Sequence, residues 1–587
     1  MAREASKGNG PAGPAPRRAV PAPVVEAVCF VLSLIALYPL LTPGYIWGHD
    51  TGAHLFRIAE VARALHEGVL YPRFLPDAYG GLGGPILNFN PVAPYYVPAL
   101  LVILSFGPIA ALKISAGAMM IAGGVAVRIL ARPHLGRAGA AVAGFAYVYL
   151  PYRIANLYVR MAYSELAAMV ILPLAMAAAR RAARQPSPPQ VAMVALGMGI
   201  LLATHFPTSV IGIPAVFLYT LWSVRRGGHL RAMAVFAIAF ALALMMSAFS
   251  WLPAITEQGQ THYQDSTAGY DNYAHHFLGW PQLFTPEWGF GQSLPGSRDQ
   301  MSFQIGWVHV LALLVGVAAA FRFRLIRPLI SFCALITVAG SILMLGVTKP
   351  LWDRLWILQN IQFPWRILAL VGIGTSLAAG VASVLPAIAA ESASRISPAP
   401  AAGRSRTLAG RRSAIALLAG TALIVAAACL PYLEVRRGEG KDSDFTPEAI
   451  RRQYLGEVKF QPKEVARIKF VPDGPRASLL AGGTAAIVEE KTHRMSVEVD
   501  SPGPTTLRLH LFHTPGWKAR IDRDELSVRG EPGTALVLVD VPAGRHRVNL
   551  RFSDTPVRRV GWILSGAGLL ISAVAGADRL WRRGLFA

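Results

Sequence analysis

The sequence predicts a mainly α-helical, polytopic membrane protein with about 12 or 13 transmembrane helices and a small outer β-sandwich domain before the last helix. Three observations predict it. The 587 residues are 53% hydrophobic and only 15% charged, and many apolar runs approach or exceed the length that crosses a bilayer. The formal charge of +23 is concentrated in short loops between those runs. One late stretch changes to period-two alternation with Pro-Gly turns, the pattern of half-buried strands.

The basic loops set the orientation. Arg180, Arg181 and Arg184; Arg225, Arg226 and Arg231; Arg322, Arg324 and Arg327; Arg404, Arg406, Arg411 and Arg412; and Arg579, Arg582 and Arg583 form a positive-inside pattern. The excess charge therefore reports topology, and no nucleic-acid partner is implied. The three cysteines, Cys29, Cys333 and Cys429, lie in or beside apolar spans, with no disulfide framework and no metal-ligand spacing.

Residues 1–20 are rich in Gly, Pro and Ala, carry Arg3, Lys7, Arg17 and Arg18, and read as a disordered cytosolic tail. The run at 22–43 is too long for a signal peptide and lacks a small-residue cleavage site, so it reads as an uncleaved first helix. A membrane domain then extends from 21 to 431, with outer loops at 44–90 and 253–303. In the first loop, Leu55, Ile58, Ala59, Ala62 and Leu65 share one stripe, and Arg57, Glu60, Arg63 and His66 lie mostly off it. That is a helix lying flat in the interface. Asp50, just ahead of it, is either its N-cap or a functional acid, and one residue can do both.

Further spans are expected near 137–151, 163–180, 191–205, 208–224, 231–252, 304–321, 328–346, 364–387, 413–431 and 557–577. Residues 91–131 hold two runs split at Phe106-Gly107-Pro108. For Arg132 and Arg137 to be cytosolic, one of the two must be re-entrant or interfacial; otherwise that loop breaks the charge rule. The polar segments then emerge on one outer face carrying Asp50, Arg153, Arg160, Glu165, His205, Glu257, His262, Asp265, His275, His276, Glu287, Gln304, Gln359, Gln362 and Arg366. Each alone has a bland reading, such as anchoring at lipid phosphates. Their gathering on one face is the signal.

Two constellations stand out. Ala203-Thr204-His205-Phe206-Pro207-Thr208 puts an imidazole at the end of a span, where burial demands a partner. In Gln362-Phe363-Pro364-Trp365-Arg366, a cation sits in the first turn of a helix, where the dipole favours anions. An anionic partner is the natural explanation. From 432 to 556, Met495-Ser-Val-Glu-Val, Leu507-Arg-Leu-His-Leu-Phe, Trp517-Lys-Ala-Arg-Ile, Leu536-Val-Leu-Val and Arg547-Val-Asn-Leu-Arg-Phe alternate as a small sandwich would, outside the cytoplasm. The last helix and a basic cytosolic tail fill 557–587.

A family resemblance rests on these residues. Gly48-His49-Asp50, His54, Arg57, Tyr71-Pro72-Arg73-Phe74, Phe89-Asn90-Pro91 and Tyr95-Tyr96 resemble the first outer loop of GT-C-type membrane glycosyltransferases. More narrowly they resemble the YfhO-like bacterial membrane proteins and the related group labelled 6-pyruvoyl-tetrahydropterin synthase-related, although nothing in the chain supports pterin chemistry. The His205 and Arg366 segments are similar to parts of the same group, as are Thr514-Pro-Gly-Trp517 and Val541-Pro-Ala-Gly. Residues 253–303 match none of its motifs.

The resemblance implies a multi-pass enzyme of the cell membrane that transfers a hexosyl or pentosyl group, with inversion, from a polyprenyl-phosphate donor. The acceptor would be an envelope glycan, lipid or protein. It places the catalytic base at Asp50 and substrate binding at His49, His54, Arg57, Arg153, Arg160, Glu165, His205, Gln362 and Arg366. Arg366, with Arg153 or Arg160, would hold the departing phosphate. Cofactor use stays open: GT-C oligosaccharyltransferases bind a divalent metal ion, but their extra acidic ligands are not recognisable here. No Gly-rich phosphate loop or soluble Asp-x-Asp set is present, which argues against a nucleotide-sugar donor. Two rival readings remain, a non-catalytic envelope-assembly protein and a transporter. The second would call for internal repeats or paired broken helices, which are not found.

Overall fold

The computed structural model describes residues 22–224, 227–263, 268–296, 298–396, 420, 425–453, 455–465 and 474–581. The expected tail, Arg225, Arg226, Asp265, Arg404, Arg406, Arg411, Arg412, Arg582, Arg583 and most of the expected span 413–431 lie outside the described residues.

The helices follow the apolar runs. In order they are α1 (Ala22–Ile35), α2 (Thr51–His66), α3 (Tyr96–Ile103), α4 (Pro108–Val148), α5 (Pro151–Tyr158), α6 (Tyr163–Arg184), α7 (Pro188–Leu202) and α8 (Phe206–Trp222). There follow α9 (His229–Met246), α10 (Ala248–Thr256), α11 (Trp307–Arg322), α12 (Arg327–Leu343), α13 (Leu368–Ile396) and α14 (Pro556–Trp581). Among the described residues, five stretches are long and apolar enough to cross a bilayer: Pro108–Val148, Tyr163–Arg184, His229–Met246, Pro364–Ala389 and Pro556–Ala577. Shorter apolar helices, α1, α7, α8, α11 and α12 among them, accompany these. The chain is a multi-pass membrane protein.

The ambiguity at 91–131 has a structural answer. The first run forms only the eight-residue α3, which rises about 12 Å, less than half a hydrocarbon core. The crossing belongs to α4. That element is itself a hairpin, because Gly136 at φ +66° breaks it into arms 108–135 and 137–148. The arms fold onto each other at a glycine contact: a Cβ on Gly144 would sit 2.4 Å from the Gly124 carbonyl oxygen. The expected separate span at 137–151 is the second arm of this hairpin.

The expected sandwich is present as two sheets. One has the order β3-β6-β10-β9 (Ala477–Leu479, Thr505–Phe512, Leu536–Val541, Val528–Gly530). The other runs β4-β5-β11-β7-β8 (Thr484–Lys491, Arg494–Ser501, Gly544–Phe552, Trp517–Ile521, Asp524–Leu526). Val497, Val499, Leu507, Leu509, Val537, Val539 and Val548 alternate inward to make its core. Phe74, from the chain before α3, enters that core and meets Trp517 at 5.2 Å and Phe552 at 5.3 Å. The strands begin only at Ala477. The described residues between 430 and 465 hold short helical turns and the strand β2 (Arg437–Gly438), which pairs antiparallel with β1 (Tyr45–Ile46).

Segments 44–90, 253–303 and 430–465 therefore meet. His262 N–H donates to Gln461 O, and Trp288 stacks on Tyr432 at 4.9 Å. Buried ion pairs reinforce this. Asp77 accepts from Arg63 at 2.5 Å and Arg451 at 2.6 Å, and Arg451 also reaches Glu490 of β4 at 3.3 Å.

The positive-inside pattern predicts that these joined segments lie outside the cytoplasm. Cysteines introduced at Arg298 and Gly503 should then react with a membrane-impermeant thiol reagent in intact cells. One at the exposed Leu325, between α11 and α12, should stay silent. The native cysteines are buried and give little background. Labelling at 325 alone would invert the topology.

Candidate functional site

The site is built on the chain's return from β1 into α2. Residues 48–50 run against 159–161: His49 N–H donates to Val159 O at 3.2 Å, and Asp50 N–H to Arg160 O at 3.0 Å. A side chain at Gly48 would press on Met161 at 3.0 Å, so glycine permits this approach. Thr51 Oγ1 locks the turn, donating to Ile46 O and accepting from Gly48 N–H, both at 2.9 Å. Asp50 occupies the N-cap position of α2, but its side chain makes no cap hydrogen bond. The carboxylate is exposed and has no bonded partner among the described residues. The capping role suggested by the sequence is therefore positional only.

Below Asp50 lies a buried charge cluster. Glu165, in the first turn of α6, is 1% exposed. Its Oε1 accepts from Tyr152 Oη and from Asn156 Nδ2 at 3.2 Å. Its Oε2 accepts from Arg160 Nη1 at 2.9 Å and lies 3.6 Å from Arg366 Nε. Arg160 also donates to Asn156 Oδ1 and stacks 4.5 Å over the Trp365 ring. Arg366 Nη1 donates to Ile361 O at 2.8 Å and to Gln362 Oε1 at 3.1 Å. Gln362 sits in the left-handed region at φ +64°. The anion that Arg366 required is thus found inside the protein. Two guanidiniums share one carboxylate, however, and the Nη2 atom of each makes no hydrogen bond among the described residues. Asp50 is near enough for its charge to act on both.

His205 caps α8. Its Nδ1 accepts from Thr208 Oγ1 at 2.8 Å and Thr208 N–H at 3.4 Å, so the proton resides on Nε2. Burial, with Arg366 adding repulsion, pushes its imidazole down to about 3. It is a neutral donor beside the cluster. His49 Nε2 meets Phe290 O at 3.1 Å, and burial lowers its pKa too. His54 Nδ1 and Arg57 Nη1 both reach the Tyr95 hydroxyl, at 2.8 and 3.1 Å, and Arg57 pairs with Glu457. His54 and Arg57 are thus held by protein partners.

Arg153 is placed apart from the Glu165 contacts. Expected at the substrate, it is fully buried against α4, where Nη2 donates to Met119 O at 3.0 Å and Met120 O at 3.2 Å, and the guanidinium stacks 4.5 Å from Tyr147. On α5, Tyr152 and Asn156 share a stripe that Arg160 continues, and Arg153 lies about 100° off it. That four-residue spacing is the signal that would have found Tyr152 and Asn156. Tyr95, Trp365 and Glu457 have no such local signature. Glu257 is a structural tie, accepting from Arg558 at 2.8 Å, Asn88 at 2.8 Å and Thr555 at 2.6 Å. His276 is held by Ser293, Gln304 by Tyr432 and Gln359 by Trp352.

The residues present do not fit a resident divalent ion. Glu165 is saturated, leaving Asp50 and His49, and no group of three or more His, Cys, Asp or Glu converges among the described residues.

No protein-family model matches the sequence, and no curated protein matches it. Solved structures similar in fold include ArnT from Cupriavidus metallidurans bound to undecaprenyl phosphate, at TM-score 0.40 and 14% identity over 74% of this chain and 77% of that one. The oligosaccharyltransferase from Archaeoglobus fulgidus gives 0.44 and 12% over 77% and 61%. The arabinofuranosyltransferase AftD from Mycobacteria gives 0.41 and 14% over 70% and 27%. The likeness is to GT-C membrane glycosyltransferases, at low identity, and it is one of fold.

Two outcomes test this arrangement. Glu165→Gln strands two buried guanidiniums without an anion and should cost about 3–5 kcal/mol. Asp50→Asn, whose carboxylate holds nothing, should unfold near the native temperature in detergent; equal losses would refute the division of roles. His205 titrates lower folded than unfolded, so between about pH 6.5 and about pH 3 the unfolded chain binds the extra proton. Stability should therefore rise with pH across that window and be lost as the pH drops through it. His205→Asn, which keeps the cap, should flatten the slope.

Proposed function

We propose that the chain is an inverting glycosyltransferase that takes its sugar from a polyprenyl-phosphate donor at the non-cytoplasmic boundary of the bundle. The observation that carries this reading is the uncommitted Asp50 carboxylate standing over a cluster with one surplus positive charge. A carboxylate with no internal partner is free to act as a base. Two arginines sharing one glutamate can take a second anion without losing the first.

In this reading the donor phosphate binds at the free edges of Arg160 and Arg366, with the His205 Nε2–H as a further neutral donor. The acceptor hydroxyl attacks the anomeric carbon from the face opposite the phosphate. The bond from that carbon to the phosphate oxygen breaks, and its electron pair leaves with the lipid phosphate. Asp50 takes the hydroxyl proton as the new bond forms. Arg160 and Arg366 stabilise the charge that develops on the leaving phosphate; both are held by Glu165, and stacking on Trp365 further orients Arg160. A lipid carrier reaches such a place laterally, which suits a site where apolar helices meet the polar segments.

Asp50→Asn preserves size and removes basicity, so sugar transfer should fall by roughly a hundredfold or more with donor binding intact. Arg366→Lys keeps the charge but loses the planar fork, so it should weaken donor binding. Transfer is measured in membranes with matched protein amounts, by mass analysis of lipid-linked sugars and envelope glycans. Near-native transfer by Asp50→Asn would remove the base assignment, and lipid-linked sugars and envelope glycans unchanged by the presence of the native protein would favour a non-catalytic role in envelope assembly.

A further inference from the structure

A second charged site lies where the five-stranded sheet meets α14. The register places four cations side by side across four strands: Lys491 opposite Arg494, Arg494 opposite Arg551, and Arg551 opposite Lys518. Directly opposed residues of antiparallel strands share a face at about 5 Å between Cβ atoms, and like charges there repel. Nearby acids pair only with the ends of the row, although the charge of Glu489 also reaches Arg494. Lys491 pairs with Glu489 at 2.8 Å, and Glu525 takes Arg520 at 2.5 Å and Lys518 at 3.7 Å. The central side chains, Arg494 and Arg551, have no hydrogen bond or ion pair among the described residues.

A cavity of about 460 Å³ opens beside this row, lined by Lys518, Arg520, Arg551, Asp554 and Arg559 with Asn549 and Ser553. Its one acid, Asp554, is turned to Arg73 at 3.5 Å. Arg559 sits exposed in the first turn of α14, where the helix dipole disfavours a cation. A second cavity of about 400 Å³ shares Arg551, Ser553 and Asp554 and continues to Leu70, Tyr71 and Trp562. There the lining turns apolar: Leu70 is 75% exposed, and on α14 next to Trp562, Ile563 is 71% exposed. Since α14 enters the membrane from Pro556, the cationic row stands at headgroup level. The aromatic and aliphatic lining lies just below, where interfacial Trp and Tyr collect.

We propose that this groove binds the phosphate-bearing headgroup of an anionic membrane lipid, with its acyl chains along the Trp562–Ile563 face. The charge that the sheet leaves unbalanced is supplied by the headgroup, which bridges β11 and α14 and so fastens the sheet domain to its membrane helix. The proposal is independent of the transferase reading, since it uses none of the residues around Asp50.

The test uses the full-length protein in nanodiscs of phosphatidylcholine alone or with phosphatidylglycerol, reading thermal unfolding and the lipid retained in native mass spectra. The groove variant is Arg551→Gln with Arg559→Gln, both exposed. The control, Arg545→Gln with Arg547→Gln, removes the same charge from β11 farther from the helix. Phosphatidylglycerol should raise the unfolding temperature of the native protein and stay bound. The groove variant should lose that rise and retain roughly tenfold less of the lipid, while the control keeps both. Three results would overturn the proposal: no preference for phosphatidylglycerol, equal loss in the control (diffuse attraction to the surface), or full stabilisation by inorganic phosphate in phosphatidylcholine discs (a free-anion site).

Discussion

Much of the arrangement depends on how Glu165 is buried. A carboxylate taken out of water costs several kcal/mol unless its oxygens are filled. Here Tyr152, Asn156, Arg160 and Arg366 fill them. Meeting that demand draws together the start of α6, one stripe of α5, the turn at 159–162 and the stretch 361–367 before α13. The turn then offers the Val159 and Arg160 carbonyls to the backbone of His49 and Asp50. The position of Asp50 is set by a cluster in which its own side chain takes no bonded part.

A similar logic holds the polar segments to the bundle. Glu257 at the end of α10 takes Arg558 of α14, Asn88 and Thr555, so the first outer segment and the exit of the sheet domain share one buried anion. Arg73 lies on Asn88 and the Phe249 carbonyl while Phe74, next in sequence, fills the sandwich core. Around Asp77, burial pushes Glu60 up to about 8, partly opposed by Arg63 and increased by Asp77. These contacts pair residues hundreds of positions apart and make the first segment a structural hub as well as the site of Asp50.

What the sequence revealed follows from which signals are local. Apolar length marked the helices and period-two alternation marked β5, β6, β7, β10 and β11, since each pattern is contained in one element. The α4 hairpin was legible too: the Arg132–Arg137 loop and a separate span from 137 anticipate the reversal at Gly136, although the chain reverses within an unbroken series of helical residues. Choosing Arg153 over Tyr152 and Asn156 gave charge priority over helical phase, and phase decided which side chain faced Glu165. Partners such as Glu457 for Arg57, or Arg558 for Glu257, leave no trace in a single sequence, because nothing local distinguishes them from other exposed ions.

The distribution of bonded partners also separates support from chemistry near α2. Asp77, Glu165 and Glu457 are each paired with an arginine, and protonating any of them would weaken a contact that holds the fold; Glu60, pushed up to about 8 by burial, already holds its proton at neutral pH. The Asp50 carboxylate, by contrast, makes no bonded contact among the described residues. A base must gain and lose a proton in every cycle, and a support must never do so. The same reasoning assigns the arginines. Glu165 holds Arg160 and Arg366 on one side and leaves their Nη2 edges unused, so an arriving anion would meet donors already oriented and cationic. In the proposed reaction, proton acceptor and anion clamp thus differ in one respect: the arginines are fixed by a bonded carboxylate, whereas Asp50 acts on them through its charge and makes no bond to them.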